Sequence, residues 1–203
     1  MNANKDNTED KILDAATDIF LRKGMEGARM QEIADKASIN KALLHYYFRS
    51  KEKLFDAILS KIMGLAFPQI GQIFFSDLPF VEKVEKVIDV YITLLLKHPD
   101  LPAFLIKEMN RESSLLFKFI EKQAFSVQPF MKNIQEAMDR GEIIKTRPEH
   151  LVVNVVGLCV FPFAARPMIK HVALNKREDL LNEYLEERKT EVKEFVMRAI
   201  QPN

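Results

Sequence analysis

Residues 29–53 read RMQEIADKASINKALLHYYFRSKEK, and the spacing of apolar and polar side chains in this stretch decides the fold. Ile33, Ala34 and Ala37 fall on one face of a short helix, and Ser38-Ile39-Asn40 interrupts it. Leu44, Tyr47 and Phe48 then repeat the helical spacing over a second short segment, before Arg49-Ser50-Lys51 restarts a third. Asn40 and Ser50 are good N-caps because their side-chain oxygens accept from the open backbone N–H groups of a helix's first turn. Two short helices joined by a tight turn and backed by further helix follow the plan of a helix-turn-helix.

Working outward, 203 residues suffice for one large domain or two small ones. A composition of 47% hydrophobic and 29% charged residues with only 6 glycines indicates a folded, all-α chain. The net charge of +1 does not advertise a polyanionic partner, yet residues 36–53 hold five bases (Lys36, Lys41, Arg49, Lys51, Lys53) against one acid, Glu52, a local balance of +4. A small basic face on a neutral protein suits a selective binder better than a general coat for nucleic acid. The single cysteine, Cys159, excludes an internal disulfide and fits the cytoplasm. The polar N-terminus lacks an apolar signal region, and residues 151–169 are too broken by Asn154, Pro162, Arg166 and Pro167 to span a membrane. No membrane partner is expected.

Periodicity predicts about nine helices. Residues 1–7 read as a disordered tail, and a first helix from Thr8 carries Ile12, Ala15, Ala16, Ile19 and Phe20 to a stop at Gly24. The second is expected over 30–36, the third over 41–48, and the fourth from Ser50 to a kink or stop at Pro68. The fifth is opened by Asp77 and Pro79 and ended by His98-Pro99, the sixth runs from Asp100 and Pro102 to about 110, and the seventh from about 113 to 140, interrupted or bent at Pro129. The eighth takes 148 to about 170, with Pro162 inside, and the ninth 176 to about 200. The domain division is residues 1–53 for the helix-turn-helix and 54–203 for the larger helical remainder.

A helix that reads a DNA major groove presents its first turn to base edges and packs its other face on the helices before it. Leu44 and Phe48, four apart, make the packed face, which leaves Lys41, Ala42 and Leu43 at the bare N-terminal end. Lys41 suits a guanine edge or a phosphate, Ala42 lets the backbone approach, and Leu43 suits a thymine methyl. His45 and Tyr46 on the flank suit phosphates, as does Lys51 beside the open N–H groups of the fourth helix.

Gly24-Met25-Glu26-Gly27-Ala28, Ile33-Ala34, Ala37-Ser38-Ile39-Asn40-Lys41 and Leu44-His45-Tyr46-Tyr47-Phe48, with Lys51 and Leu54, resemble the N-terminal signature of the TetR family of bacterial transcriptional regulators. The resemblance covers about residues 8–55. It implies a homodimer that binds a palindromic operator of double-stranded DNA, usually as a repressor, and leaves it when a small-molecule effector binds the second domain. It also implies DNA contacts for Asn40, Lys41, Ala42, Leu43, His45, Tyr46 and Lys51. Three positions depart from the pattern. Arg29 with Met30 stands where the family has a capping Thr, so Arg29 is expected to meet phosphate by charge and to cap weakly. Ser38 stands where Gly is usual, at a cost of roughly 1–2 kcal/mol if the backbone there is left-handed. His45 replaces a phosphate-binding Tyr.

The remainder of the chain is expected to bind the effector and to dimerise. Tyr91, Phe104, Phe117, Phe125, Phe130 and Phe163 are candidates to line an apolar pocket for a hydrophobic or amphipathic molecule. Val152, Val156 and Cys159 of the eighth helix, and Leu181, Leu185, Val192 and Phe195 of the ninth, form apolar stripes suited to a four-helix interface between two copies. Catalysis is not expected. The four histidines are scattered, and no metal-ligand spacing, phosphate-binding Gly-rich loop or nucleophile elbow is present, so neither cofactor nor metal is expected. The rival reading is a helical protein-interaction module that no longer binds DNA. It would keep Leu44 and Phe48 but have no need of Lys41 or Lys51.

Overall fold

A computed structural model describes residues 3–110, 115–122 and 128–202. Its described residues form eleven helices: α1 (Ala3–Gly27), α2 (Met30–Lys36), α3 (Lys41–Tyr47), α4 (Lys51–Phe74), α5 (Phe80–Lys97), α6 (Leu101–Met109), α7 (Leu115–Lys122), α8 (Gln128–Asp139), α9 (Pro148–Ala164), α10 (Arg166–Val172) and α11 (Glu178–Ile200). The all-α expectation holds. The described helices number more than nine because the expected eighth is divided and the expected seventh is described in two parts.

The chain gathers into two compact units, Met1–Gly64 with Phe104–Phe125, and Leu65–Ala103 with Ser126–Asn203. The first unit is built on Ile12, Ala16, Ile19 and Phe20 of α1, Ile33 and Ala34 of α2, Leu44 of α3, and Leu54, Phe55, Ile58 and Leu59 of α4, all buried. Phe55 meets Phe20 edge-on at 5.9 Å and Phe104 at a tilt, also at 5.9 Å. Ala34, wholly buried, leaves room for α1 and α2 to approach. In the second unit α5, α9 and α11 pack on one another. Their shared core holds Ile88, Ile92, Cys159, Phe163, Leu185 and Val192.

Local chemistry explains the breaks. Gly24 sits at φ 72°, ψ 175°, a conformation essentially reserved for glycine, and divides α1 close to its end. Gly141, at φ 72°, ends α8: its N–H donates to the Met138 carbonyl and that of Glu142 to the Ala137 carbonyl. Two expectations need correction. First, α1 begins at Ala3, inside the stretch read as a tail. Second, the expected eighth helix is α9 and α10, bent by 68° at Ala165. Pro167 has no N–H to donate to the Phe163 carbonyl, so the ladder of α9 cannot continue through it. The expected seventh helix is described in two parts, α7 and α8, on either side of residues outside those described. Further, α4 does not stop at Pro68 but runs on to Phe74. It is long and apolar enough to cross a membrane, yet its N-terminal half supplies Leu54, Phe55, Ile58, Leu59 and Ile62 to a protein core.

Candidate nucleic-acid interface

The turn between α2 and α3 is fixed by backbone geometry. Ser38 has φ 56°, in the left-handed region. Its N–H donates to the Asp35 carbonyl at 3.1 Å, and the Ile39 N–H donates to the Ala34 carbonyl at 3.0 Å. Together these bonds satisfy two carbonyls at the end of α2 and reverse the chain tightly. Asn40 then caps α3: its Oδ1 accepts from the Leu43 N–H at 2.7 Å. Arg29 is the N-cap of α2 and makes no side-chain cap bond, as its chemistry led one to expect.

With α3 started at that point, its faces follow. Leu44 is wholly buried and Phe48 nearly so, which holds the helix against the core; burying such a side chain contributes roughly 1.5–3 kcal/mol. Asn40, Lys41, Ala42 and His45 are exposed, Leu43 is half-buried, and Tyr46 is 71% exposed. Tyr46 stands edge-on to Tyr47 at 5.6 Å, so the half-buried ring of Tyr47 props the exposed one. Arg29 is exposed and Met30 half-buried. The first turn of α3 is therefore bare, as a groove-reading helix requires.

Charge in this region is distributed differently from the simple count. The Lys36 ammonium pairs with Asp18 of α1. That hydrogen bond, with Arg22 nearby, holds the Asp18 carboxyl below its usual range. Asp10 and Asp14 pair with Lys61 at 3.1 and 2.9 Å. Lys36 thus belongs to the α1–α2 junction rather than to a free basic face, and exposed Lys41, Arg49 and Lys53 remain. Lys51 is also partly engaged. Its Nζ donates to the Ala28 carbonyl at 3.1 Å and reaches the Glu26 carbonyl at 3.5 Å. It ties the start of α4 to the connection between α1 and α2, and two of its three donors are spent there. Ser50 caps α4, its Oγ accepting from the Lys53 N–H at 3.2 Å.

One participant had no signal in the sequence. Glu108 of α6 is buried, and its Oε1 accepts from the Met25 N–H at 3.3 Å. The two residues are 83 apart in the chain, and no local pattern pairs them.

The expected effector residues are divided between the two units. Phe104 and Phe117 lie in the first unit; Tyr91, Phe130 and Phe163 lie in the second. Phe125 is outside the described residues. Phe104 packs on Phe55 in the first core and Phe163 belongs to the second, so both serve packing within their units. Phe117 is half exposed, and Phe130 meets Phe74 edge-on at 4.7 Å. Burial pushes the Tyr91 hydroxyl up to about 12.

Among the expected dimer residues, Cys159, Leu181, Leu185 and Val192 are buried in the second unit's own core, which takes them away from any outer face. Val152 is half-buried against the same core. Val156 stays exposed, and Phe195 is 62% exposed. Val153 and Phe161, which the stripes did not include, join them as exposed apolar side chains. An open groove of about 530 Å³ runs between α9 and α11, lined by Val153, Gly157, Leu158, Phe195 and Ala199 among others.

Residues 12–58 match the family described as bacterial regulatory proteins, tetR family. The chain is 29% identical to the HTH-type transcriptional repressor NicS of Pseudomonas putida over 77% of its length and 76% of the relative's. It is 25% identical to the HTH-type transcriptional regulator RutR of Escherichia coli (strain K12), over 71% and 68% of the two chains. A TetR transcription regulator from Haloarcula marismortui superposes with a TM-score of 0.67 at 17% identity, over 97% of this chain and all of that one, which shows a shared fold. The family match falls on the helices whose geometry leaves the first turn of α3 bare: residues 12–58 carry the DNA-binding region of the TetR family of transcriptional regulators, and over most of its length the chain is similar to regulators of that family.

Proposed function

We propose that this regulator is a repressor that binds a palindromic operator as a homodimer in the bacterial cytoplasm and leaves it when a hydrophobic or amphipathic small molecule binds. The observation that carries the DNA reading is the bare first turn of α3, Lys41 and Ala42, in a register fixed by the Asn40 cap and the buried Leu44. Lys41 is assigned to a base edge or phosphate, Leu43 to a thymine methyl, and His45, Tyr46 and Arg29 to phosphates that position without specifying. Lys51 takes a phosphate only through the donor that its two backbone carbonyls leave over.

Repression is supported by the relative NicS, whose name is that of a repressor. Dimerisation is assigned to the outer face of α9 and α11, where Val153, Val156, Phe161 and Phe195 are exposed. Beyond its own helix backbone and chain neighbours, Gly157 has no atom within 4 Å of the place its side chain would occupy, so a helix from a second copy can come close there. A dimer on a palindromic operator would present its two α3 helices to half-sites about one DNA turn (~34–36 Å) apart. For the effector, Tyr91 and Phe130 of the second unit keep their assignment, since neither is fully buried in that unit's core.

Selection of bound duplexes from a random-sequence pool by the purified full chain tests the reading. An inverted repeat with half-sites about one turn apart is expected. A pool that converges on no sequence contradicts it and favours the interaction-module reading.

A further inference from the structure

The break in α1 leaves a backbone donor to be satisfied. Had the helix continued, the Met25 N–H would have bonded within α1; the glycine conformation of Gly24 ends that ladder and turns the N–H outward. The segment 25–28 that follows is itself one helical turn, closed by the Ala28 N–H donating to the Gly24 carbonyl at 3.2 Å. Met25 and Ala28 are both buried, with side chains 4% and 2% exposed. Glu26 and Gly27 face solvent, but the Met25 N–H lies on the buried side of the turn, where the Glu108 carboxylate, itself 1% exposed, accepts from it.

The same turn is held from two other directions. Lys23, just before the break, pairs with Glu32 of α2 at 2.5 Å. Lys51, at the start of α4, donates to the Ala28 carbonyl. The short turn between α1 and α2 is thus anchored by α2, by α4, and through Glu108 by α6. The last of these contributes a buried carboxylate, which is costly to bury without donors.

We propose that Glu108 is a positioning residue for operator binding: through the Met25 N–H it holds the turn from which α2 and α3 are set. The inference rests on the assignment of α3 as the DNA-contacting helix. Removing the carboxylate leaves a buried N–H with no acceptor, so the turn opens more often and the share of molecules with α3 correctly set falls. Affinity falls in proportion to that share, without loss of any DNA contact. The slope of affinity against salt, which counts phosphates, stays at the wild-type value.

Amide hydrogen exchange on the full chain reads the junction without DNA. In Glu108→Ala, residues 21–47 are expected to exchange at least tenfold faster than in wild type, while residues 178–200 keep their rates. Glu108→Gln, which retains an acceptor oxygen at the same reach, is expected to restore the wild-type pattern. Unchanged exchange in the Ala variant overturns the proposal, as does a Gln variant that behaves like Ala. Should Glu108→Ala lose protection everywhere, Glu108→Asp, one methylene shorter, replaces it with the same two outcomes. Operator affinity measured beside it is expected to drop at least tenfold in the Ala or Asp variant and to stay within threefold in Gln. Wild-type affinity in an opened variant overturns the positioning role. A wild type that binds no DNA defeats the proposed function instead, and the exchange result still decides the junction.

Discussion

Asn40 Oδ1 accepts a 2.7 Å hydrogen bond from the Leu43 N–H, so a single side chain both closes the turn after α2 and sets the first residue of α3. The position of Lys41 and Ala42 at the bare end of α3 follows from that bond. Asn40→Ala removes the cap, and a loss of about 1 kcal/mol of stability is expected by urea unfolding. Asn40→Ser and Asn40→Asp, which keep an acceptor, should recover most of it. Equal stability of the Ala variant and wild type would show that the bond does not set the helix.

Ser38 occupies a left-handed conformation at φ 56°. Relief of that conformation by Ser38→Gly, about 1–2 kcal/mol, exceeds the extra freedom glycine has in the unfolded chain, roughly 0.4–1 kcal/mol. The Gly variant is therefore expected to be more stable by up to about 1.5 kcal/mol, and Ser38→Val clearly less stable, in thermal melts.

Much of the DNA-reading unit was legible in the sequence because its decisions are local. Gly24, Asn40 and Ser50 act within a few residues of themselves, and each stands where spacing placed it. The second unit was less legible for a physical reason. The stripe Leu181, Leu185, Val192 shows that one face of α11 is buried, but periodicity cannot say whether its own subunit or a second copy covers it. The subunit's core covers it, and Phe195, on a different face, is left exposed. The apolar run from 151 to 169 reads as one helix with Pro162 inside it, yet the chain turns at Ala165, ahead of Pro167. Lys36 and Lys51 were counted as free charge because Asp18 and the Ala28 carbonyl are distant in sequence.

Acid is expected to loosen the α1–α2 junction. The Lys36 hydrogen bond holds the folded-state Asp18 carboxyl below its unfolded value. A depressed carboxyl contributes stability above its unfolded value, near 3.8, and loses it as pH falls through the folded one. Between pH 7 and pH 3, Asp18→Asn should therefore lose less melting temperature than wild type. The pair is partly exposed to solvent, which screens it, so the difference is small. Identical acid profiles would show that the pair carries none of the pH dependence.

The exposed face of α9 and α11 makes a prediction about assembly. Phe195→Glu places a charge on the outer face without touching the core stripe, so the folded chain is expected to sediment as a monomer. Leu185→Ala, in the core, should instead cost about 2–5 kcal/mol of stability. A Phe195→Glu protein that still sediments as a dimer would move the interface elsewhere.

Binding of the wild-type chain and of Lys41→Ala to DNA flanking its own gene, followed across salt concentration, bears on everything above. Wild type is expected to bind one site specifically, with affinity falling steeply as salt rises. If Lys41 meets a base, the variant should lose about 1–3 kcal/mol on the specific site and discriminate less between sequences. If it meets a phosphate, the variant should weaken on all sequences alike, and the salt slope should shrink by about one. A Lys41→Ala protein that binds the same site with wild-type affinity and salt slope would contradict the assignment of α3 as the helix that reads DNA.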